Sequence, residues 1–221
     1  AAFGAGGRIP YRGELPGMDV GLLGGTFNPI HHGHLRLAEE ARESFGLAQV
    51  WFIPNPSPPH RSRGRELVDA ERRFRMVELA TRDHPCFVVS RCELDRPGVA
   101  YTVDTLETLR QEHPGHRFSF LTGADSLLKN RWRELDRLLG LLHRFVAARR
   151  PGFSWGRLLH HLQGQGLRNL DRVARLDMPA CDVSGTLIRE RRRAGRSIRY
   201  LLPEPVRLYI EEHRLYAGAG D

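Results

Sequence analysis

The feature of this sequence that most constrains its fold is a regular alternation of short apolar runs with segments of helical periodicity, beginning after Met18. Short apolar runs are typical of buried strands, and apolar residues spaced by three and four are typical of the buried face of a helix. The pattern predicts strands over residues 20–24, 50–53, 87–89, 118–121, 145–147 and 173–176, and helices around residues 35–45, 74–79 and 103–109.

Strands that alternate with helices predict an α/β fold, a Rossmann-like doubly wound parallel sheet covered on both faces. The C-terminal part differs, because from about residue 180 the pattern predicts only helices, over residues 184–193 and 205–215. Leu202, Val206 and Ile210 repeat at intervals of four, which predicts that the last helix packs against the sheet. Ligands of such sheets bind beyond the carboxyl ends of the strands, so we expect the chemistry there.

The length of 221 residues is typical of one domain. We expect residues 18–217 to form that domain. Residues 1–17 are rich in glycine and lack periodicity, so we expect a flexible N-terminal extension. A proline-rich basic stretch over residues 55–64 follows the second strand, and its composition suits both a mobile lid and a plain surface loop.

The charge of the chain favours anionic partners. It carries 34 Lys and Arg against 26 Asp and Glu, a formal charge of +8, and every one of the 34 except Lys129 is arginine. Nucleic acid and phosphorylated small molecules are both compatible with this charge, and a GC-rich genome would also account for the arginines.

The 3 cysteines have no CxxC spacing, which argues against a disulfide framework or a zinc site. Without an apolar run long enough for a bilayer or a signal-peptide pattern, we expect a cytoplasmic protein.

The most informative segment is Gly-Gly-Thr-Phe-Asn-Pro-Ile-His-His-Gly-His, residues 24–34, between the first strand and the first helix. Adjacent glycines permit a tight turn, and the N–H groups that begin a helix suit a phosphate. His31 and His34 are three apart, so they project to the same side, whereas His32 should point elsewhere. Two imidazoles there can donate hydrogen bonds to phosphate oxygens as charge grows. A zinc pair is the alternative, but no nearby Cys, Asp or Glu completes a ligand set.

This segment resembles the signature of the bacterial nicotinate-nucleotide adenylyltransferases, a family of the HxGH nucleotidyltransferase superfamily. The resemblance continues in order along residues 20–216, through Pro-Pro-His-Arg (58–61), Tyr-Thr-Val-Asp-Thr-Leu (101–106), Gly-Ala-Asp-Ser-Leu-Leu (123–128) with Trp132, Arg-Pro-Gly (150–152) and Val-Ser-Gly-Thr-Leu-Ile-Arg (183–189). The family usually has serine where Gly185 stands. Glycine removes a hydroxyl but keeps the backbone N–H, so a weaker phosphate contact is compatible with retained function.

The resemblance implies a reaction. It joins nicotinate mononucleotide to ATP and gives deamido-NAD and pyrophosphate, by direct attack of the nucleotide phosphate on the α-phosphate of ATP. No covalent intermediate is expected, so catalysis consists of positioning and charge stabilisation. Mg²⁺ is expected with ATP, held mainly by phosphates and water, and no protein metal site is predicted.

The resemblance also assigns residues to roles. His31, His34 and Arg189 would be catalytic, with Arg189 forking two bonds to the β- or γ-phosphate. Ser184 resembles an N-cap, and Thr186 is three residues before Arg189, so both can face one ligand. The ATP site would also include Gly24, Gly25, Thr26, Phe27, Asp125 and Arg150.

The nicotinate nucleotide would contact Arg61, Thr102, Asp104 and Trp132. Trp132 would stack on the nicotinate ring, Thr102 would lie near its carboxylate, and Arg61 could close over the phosphates. Asp104 and Asp125 remain open between ligand contacts and helix N-caps, and Trp132 remains open between a stacking platform and a core residue.

Three other interpretations compete with this one. Pantetheine-phosphate adenylyltransferases and cytidylyltransferases share HxGH, but the later motifs favour the nicotinate enzyme. A nucleic-acid-binding protein would suit the pI of about 10.2, yet no known reader motif is present. A class I synthetase would be longer and would carry a second signature. We therefore expect ATP and nicotinate mononucleotide as partners, neither nucleic acid nor a membrane; a homo-oligomer is compatible with the sequence.

Overall fold

The computed structural model describes residues 17–56, 67–129, 132–149, 153–179 and 181–218. Within that part of the chain, strands alternate with helices as the sequence predicts. The strands are β1 (Asp19–Gly25), β2 (Gln49–Pro54), β3 (Phe87–Val89), β4 (Arg117–Gly123), β5 (Arg144–Arg149) and β6 (Val173–Asp177). The helices are α1 (His32–Phe45), α2 (Ala70–Thr81), α3 (Thr102–Glu112), α4 (Ala124–Lys129), α5 (Leu135–Leu141), α6 (Trp155–Gln163), α7 (Gly185–Arg193) and α8 (Glu204–Glu212).

The six strands form one parallel sheet in the order β3-β2-β1-β4-β5-β6. Leu22 in β1 stands opposite Trp51 of β2 on one side and Phe120 of β4 on the other. The chain therefore winds outward from β1 to β3 and then returns to β4 on the other side of β1. Such a switch in strand order opens a crevice at the carboxyl ends of the two central strands. The predicted doubly wound sheet is confirmed.

Two apolar clusters cover the two faces of this sheet. The first includes Leu37 of α1, Val77 of α2, Ile188 of α7 and Ile210 of α8. The second is built by α3 to α6 and includes Leu106, Leu127, Leu138 and Leu158. The C-terminal helices therefore complete one face of the same sheet.

The last helices differ slightly from the prediction. Helix α8 ends at Glu212, earlier than the predicted residue 215, and Arg214 and Tyr216 then adopt left-handed backbone conformations. Leu215 lies beyond the end of the helix but is still buried. The apolar periodicity of the sequence therefore extends past the helix that it predicts. Leu202, Val206 and Ile210 are buried, as predicted.

The expected N-terminal extension, apart from Gly17, lies outside the described residues. Among the helices in the described ranges, none is long and apolar enough to cross a membrane.

Candidate active site

The loop from β1 to α1 brings the two predicted histidines together. His31 is the N-cap of α1, and its Nδ1 accepts a hydrogen bond from the Gly33 N–H at 3.2 Å. The His31 N–H in turn donates to Nδ1 of His34 at 3.3 Å, which completes a capping box. The two imidazole centroids lie 3.8 Å apart. Because each Nδ1 accepts a backbone hydrogen, the proton of each neutral ring lies on Nε2.

Phe27 supports this pair from within the protein. Its backbone is left-handed, with φ of 46°, and its side chain is 2% exposed. The ring meets the His34 ring edge to face at 5.0 Å. A Cβ at Gly25 would lie 3.2 Å from the Phe27 ring, so glycine there makes room for it. Only the backbone of Phe27 can therefore make the predicted phosphate contact.

The start of α7 packs directly on the same loop. Ser184 caps the helix, because its Oγ accepts the Leu187 N–H at 3.2 Å. Arg189 is buried, and its Nη1 donates to the Asn28 carbonyl at 2.8 Å. Its Nη2 donates to Thr186 Oγ1 at 3.3 Å. The first and last predicted motifs thus form one surface.

Gly185 lies where α7 approaches the loop most closely. A Cβ at this position would stand 2.9 Å from the Asn28 carbonyl oxygen and 3.2 Å from Arg189 Nη1. Serine at this position would have to displace one of these groups. The glycine therefore fits the local packing of this chain.

The junction where β4 passes directly into α4 lines an open cleft of about 190 Å³. Its walls are Gly123, Ala124, Asp125, Ser126, Ala148 and Phe153. Asp125 lies in the first turn of α4, after the helix has begun at Ala124, so it is not the N-cap of that helix. A carboxylate at the carboxyl end of β4, next to β1, is well placed for a ligand of the sheet.

Trp132 is partly buried against the second apolar cluster. Its indole N–H donates to the Ser126 carbonyl at 3.2 Å. Its ring meets Phe120 and Phe145 edge to face, at 5.6 and 5.2 Å. The tryptophan is therefore anchored in the apolar cluster, beside the segment that carries Asp125.

Thr102 and Asp104 lie in the first turn of α3, whose N-cap is Tyr101. Asp104 is thus not an N-cap, and its carboxylate lies 3.7 Å from Arg133 Nη1. The Arg133 guanidinium lies 4.4 Å over the Tyr101 ring. Arg133 was not predicted from the sequence as part of the site. Arg61 and Arg150, which the resemblance assigns to the site, lie outside the described residues.

The family model for cytidylyltransferase-like proteins matches residues 22–191. A Desulfitobacterium hafniense protein named probable nicotinate-nucleotide adenylyltransferase is 45% identical over 204 residues, which cover 92% of this chain and 98% of the relative. A Moorella thermoacetica protein of the same name is 44% identical, over 89% of this chain and 91% of its own length.

The chain belongs to the nicotinate-nucleotide adenylyltransferase family.

Solved structures show the same fold at lower sequence identity. The Plasmodium falciparum nicotinic acid mononucleotide adenylyltransferase in complex with NaAD superposes with a TM-score of 0.74. The match is 17% identical and covers 90% of this chain and 97% of the other. The same enzyme in complex with APC gives a TM-score of 0.72.

Enzymes of this kind generally use a divalent metal with ATP. Within the described ranges, no three or more His, Cys, Asp or Glu side chains lie close enough to hold a metal ion. His31 and His34 offer nitrogen ligands, whereas Mg²⁺ prefers oxygen ligands. Such a donor set fits a metal that arrives on the phosphates of ATP.

His32 contacts the segment before α8. Its N–H donates to the Leu201 carbonyl at 3.2 Å. Burial lowers the pKa of His32, and a hydrogen bond with the Leu202 backbone partly opposes that shift. His32 therefore ties α1 to the segment before α8.

Three residues that form hydrogen bonds within or onto this loop were not predicted from the sequence, namely Asn28, Arg73 and Tyr216. Arg73 is fully buried on α2, and the phenol of Tyr216 donates to Asn28 Oδ1 at 2.7 Å. One signal was available: Arg73 shares a helix face with the buried Met76 and Val77, where a charged residue is unusual.

Proposed function

We propose that this chain transfers the adenylyl group of ATP to nicotinate mononucleotide, giving deamido-NAD and pyrophosphate in NAD biosynthesis. One observation carries the proposal: the adjacent imidazole rings of His31 and His34 at the start of α1 and the buried Arg189 of α7 converge on one loop at the switch point of the sheet. That arrangement presents hydrogen-bond donors to polyphosphate. The relatives that share 44–45% of their residues with this chain carry the corresponding name.

The reaction would proceed by in-line displacement. An oxygen of the 5′-phosphate of nicotinate mononucleotide attacks the α-phosphorus of ATP. The bond from the α-phosphorus to the bridging oxygen of the β-phosphate breaks, and pyrophosphate leaves with that oxygen. The attacking phosphate is already anionic, so no residue must activate it, and no covalent intermediate with the protein forms.

The protein would contribute position and charge stabilisation. His31 and His34 would donate from Nε2 to phosphate oxygens, most strongly as charge accumulates on the leaving group. Arg189 would add a fixed positive charge, and Thr26, Ser184 and Thr186 would add hydroxyl groups. Mg²⁺ bound to ATP would neutralise part of the phosphate charge. The backbone at Gly24, Gly25 and Phe27 would hold the phosphates close to the loop.

The remaining predicted residues would bind the two nucleotides. Asp125, in the cleft after β4, would accept hydrogen bonds from a ribose hydroxyl or from the adenine amine, and Arg150 would line the same nucleotide site. Trp132 would stack on the nicotinate ring and Thr102 would lie near its carboxylate. The ion pair with Arg133 would fix Asp104 at the start of α3. Arg61 would face the phosphates.

The direct test is pyrophosphate release from Mg-ATP with nicotinate mononucleotide, its amide analogue or phosphopantetheine in parallel. Release with the acid alone supports both the reaction and the preference for the acid. Equal release with acid and amide supports the reaction but not that preference. Release only with phosphopantetheine, or none with any acceptor from folded protein, contradicts the proposal.

A further inference from the structure

Arg73 joins four segments of the chain through one buried guanidinium. The side chain is 0% exposed. Its Nη1 donates to the carbonyls of Thr26 and Asn55, at 2.6 and 2.8 Å. Its Nη2 donates to the Pro56 carbonyl at 3.0 Å, and its Nε donates to the Val68 carbonyl at 2.9 Å. The arginine thus ties the loop after β1 to the end of β2 and to the residues before α2.

The bonds made by Arg73 are unusual for a buried charge. Burial lowers the pKa of Arg73, yet an arginine keeps its charge in a protein. A buried charge is costly unless it is fully hydrogen-bonded, and within the described residues its hydrogen bonds go to backbone carbonyls alone. A methionine would fill this space without that cost, so packing alone does not explain an arginine here.

The contact with Thr26 sets the direction of a peptide group in the proposed phosphate loop. In a trans peptide the carbonyl and the following N–H point in opposite directions. Because the Thr26 carbonyl points to Arg73, the Phe27 N–H of the same peptide group points away from Arg73. The Phe27 ring in turn contacts His34. One guanidinium therefore constrains a backbone donor and, through Phe27, a proposed catalytic ring.

Tyr216 holds the next residue of the loop from the same side. Its hydroxyl donates to Asn28 Oδ1 at 2.7 Å, and the Val68 N–H donates to the same oxygen at 3.3 Å. The Asn28 carbonyl accepts from Arg189. Val68 is thus bound by both Arg73 and Asn28, which closes a ring of hydrogen bonds behind the loop.

We propose that Arg73 and Tyr216 are positioning residues that hold loop 24–28 and, through it, His34 and Arg189 in the geometry required for adenylyl transfer. Neither residue needs to touch a substrate. The identity of the reaction rests on the proposed function. The hydrogen bonds of Arg73 and Tyr216, in contrast, are present in the protein without ligands.

The test compares Arg73→Lys and Tyr216→Phe with Arg207→Lys. A lysine carries its donors on one nitrogen and cannot span these carbonyls as a guanidinium does. Arg207 is the matched control, because it is equally an arginine with little exposure, but it pairs with Glu204 and Glu211 within α8. Folding of each variant is checked by circular dichroism and thermal unfolding before assay.

We expect kcat to fall about 100-fold in Arg73→Lys, as for a displacement of about 1 Å in a catalytic constellation. KM for nicotinate mononucleotide should change much less, because the lost interactions act in the transition state. Tyr216→Phe should lower kcat several-fold, and Arg207→Lys should leave it unchanged.

An Arg73→Lys protein that is folded and retains full kcat overturns the proposal. The proposal is also overturned if, in all three variants, kcat falls only in proportion to the fraction of protein that is folded. If Arg73→Lys does not fold, Tyr216→Phe decides, and an unchanged kcat overturns the proposal.

A second measurement does not depend on activity. The imidazole NMR resonances of His31 and His34 should shift in Arg73→Lys without ligand, while those of the exposed His160 and His161 should stay in place. Unchanged resonances of His31 and His34 overturn the inference even if the enzyme assay succeeds. Wild-type protein that is inactive with every acceptor, while the resonances shift as expected, contradicts only the proposed function.

Discussion

Arg189 donates a hydrogen bond of 2.8 Å to the backbone carbonyl of Asn28, a residue 161 positions earlier in the chain. This bond joins the start of the C-terminal helical part to the first loop of the sheet. Two motifs at opposite ends of the sequence therefore act as one surface. Because the carbonyl fixes one nitrogen of the guanidinium, the arginine is oriented before any ligand binds, which reduces the entropy lost on binding.

Arg189→Lys should lower kcat about 10- to 100-fold, because lysine retains the charge but cannot bond Asn28 and a phosphate in the forked geometry of arginine. Steady-state pyrophosphate release measures the effect. Arg193→Lys is the control, since Arg193 is exposed on the same helix. If Arg189→Lys is as active as Arg193→Lys, only the positive charge of Arg189 matters and its forked geometry does not.

His34→Ala should lower kcat about 10²- to 10³-fold, the usual loss when one transition-state donor is removed. The change also removes the capping-box contact with the His31 N–H. His34→Asn separates the two effects, because the asparagine oxygen can still accept that N–H while the Nε2 donor is gone. We expect both variants to be nearly inactive and His160→Ala to be normal. Turnover near the wild-type level in His34→Ala would show that the assignment is wrong.

Gly185→Ala should lower kcat/KM about tenfold, because the added methyl group would push the Asn28 carbonyl away from Arg189. Alanine is otherwise favoured over glycine in a helix by about 0.5–1 kcal/mol. Gly156→Ala is the control, since that glycine lies in the first turn of α6 with open space around it. Gly156→Ala should be fully active. If Gly185→Ala is as active as Gly156→Ala, the loop moves to accommodate the methyl group without any loss of activity.

Trp132→Leu should raise KM for nicotinate mononucleotide about 3- to 10-fold, the effect of losing one aromatic stack. KM for ATP should change little. Trp155→Leu serves as the control, because Trp155 is also half-buried on the same face of the sheet. If KM rises equally for both substrates in Trp132→Leu, the tryptophan is a packing residue and not a platform for nicotinate.

Glu93→Gln should increase stability, and the gain should grow as pH rises. Glu93 is buried, and burial raises its pKa above the ordinary value of a glutamate, although a hydrogen bond from Thr105 partly opposes the shift. A raised pKa in the folded state means that this carboxyl group stabilises the protein below its unfolded pKa, and that the contribution is lost as pH rises through the folded value. Urea unfolding of both proteins between pH 4.5 and 7 measures the difference. A constant difference across that range would contradict the expectation.

The sequence determined the layers of the fold and the positions of its strands. Apolar periodicity identified all six strands, because the strands of a parallel sheet are buried on both faces and therefore read as continuous apolar runs. Local signals also placed His31 and His34 on one side of a turn and identified Ser184 as an N-cap. These features depend on residues only a few positions apart, so the sequence contains them directly.

Only the tertiary structure decided which distant groups meet. The Arg73 guanidinium contacts carbonyls that every residue type carries, so nothing in the sequence of Thr26, Asn55 or Pro56 indicates the contact. Asp104 pairs with Arg133, which lies in a different segment of the chain. No periodic spacing in the sequence indicates that these two residues meet. Hydrogen bonds to the backbone carry no signature in side-chain type. They arise only when packing of the helices on the sheet brings the segments together, which is why the sequence predicted the histidines but not the arginine that holds their loop.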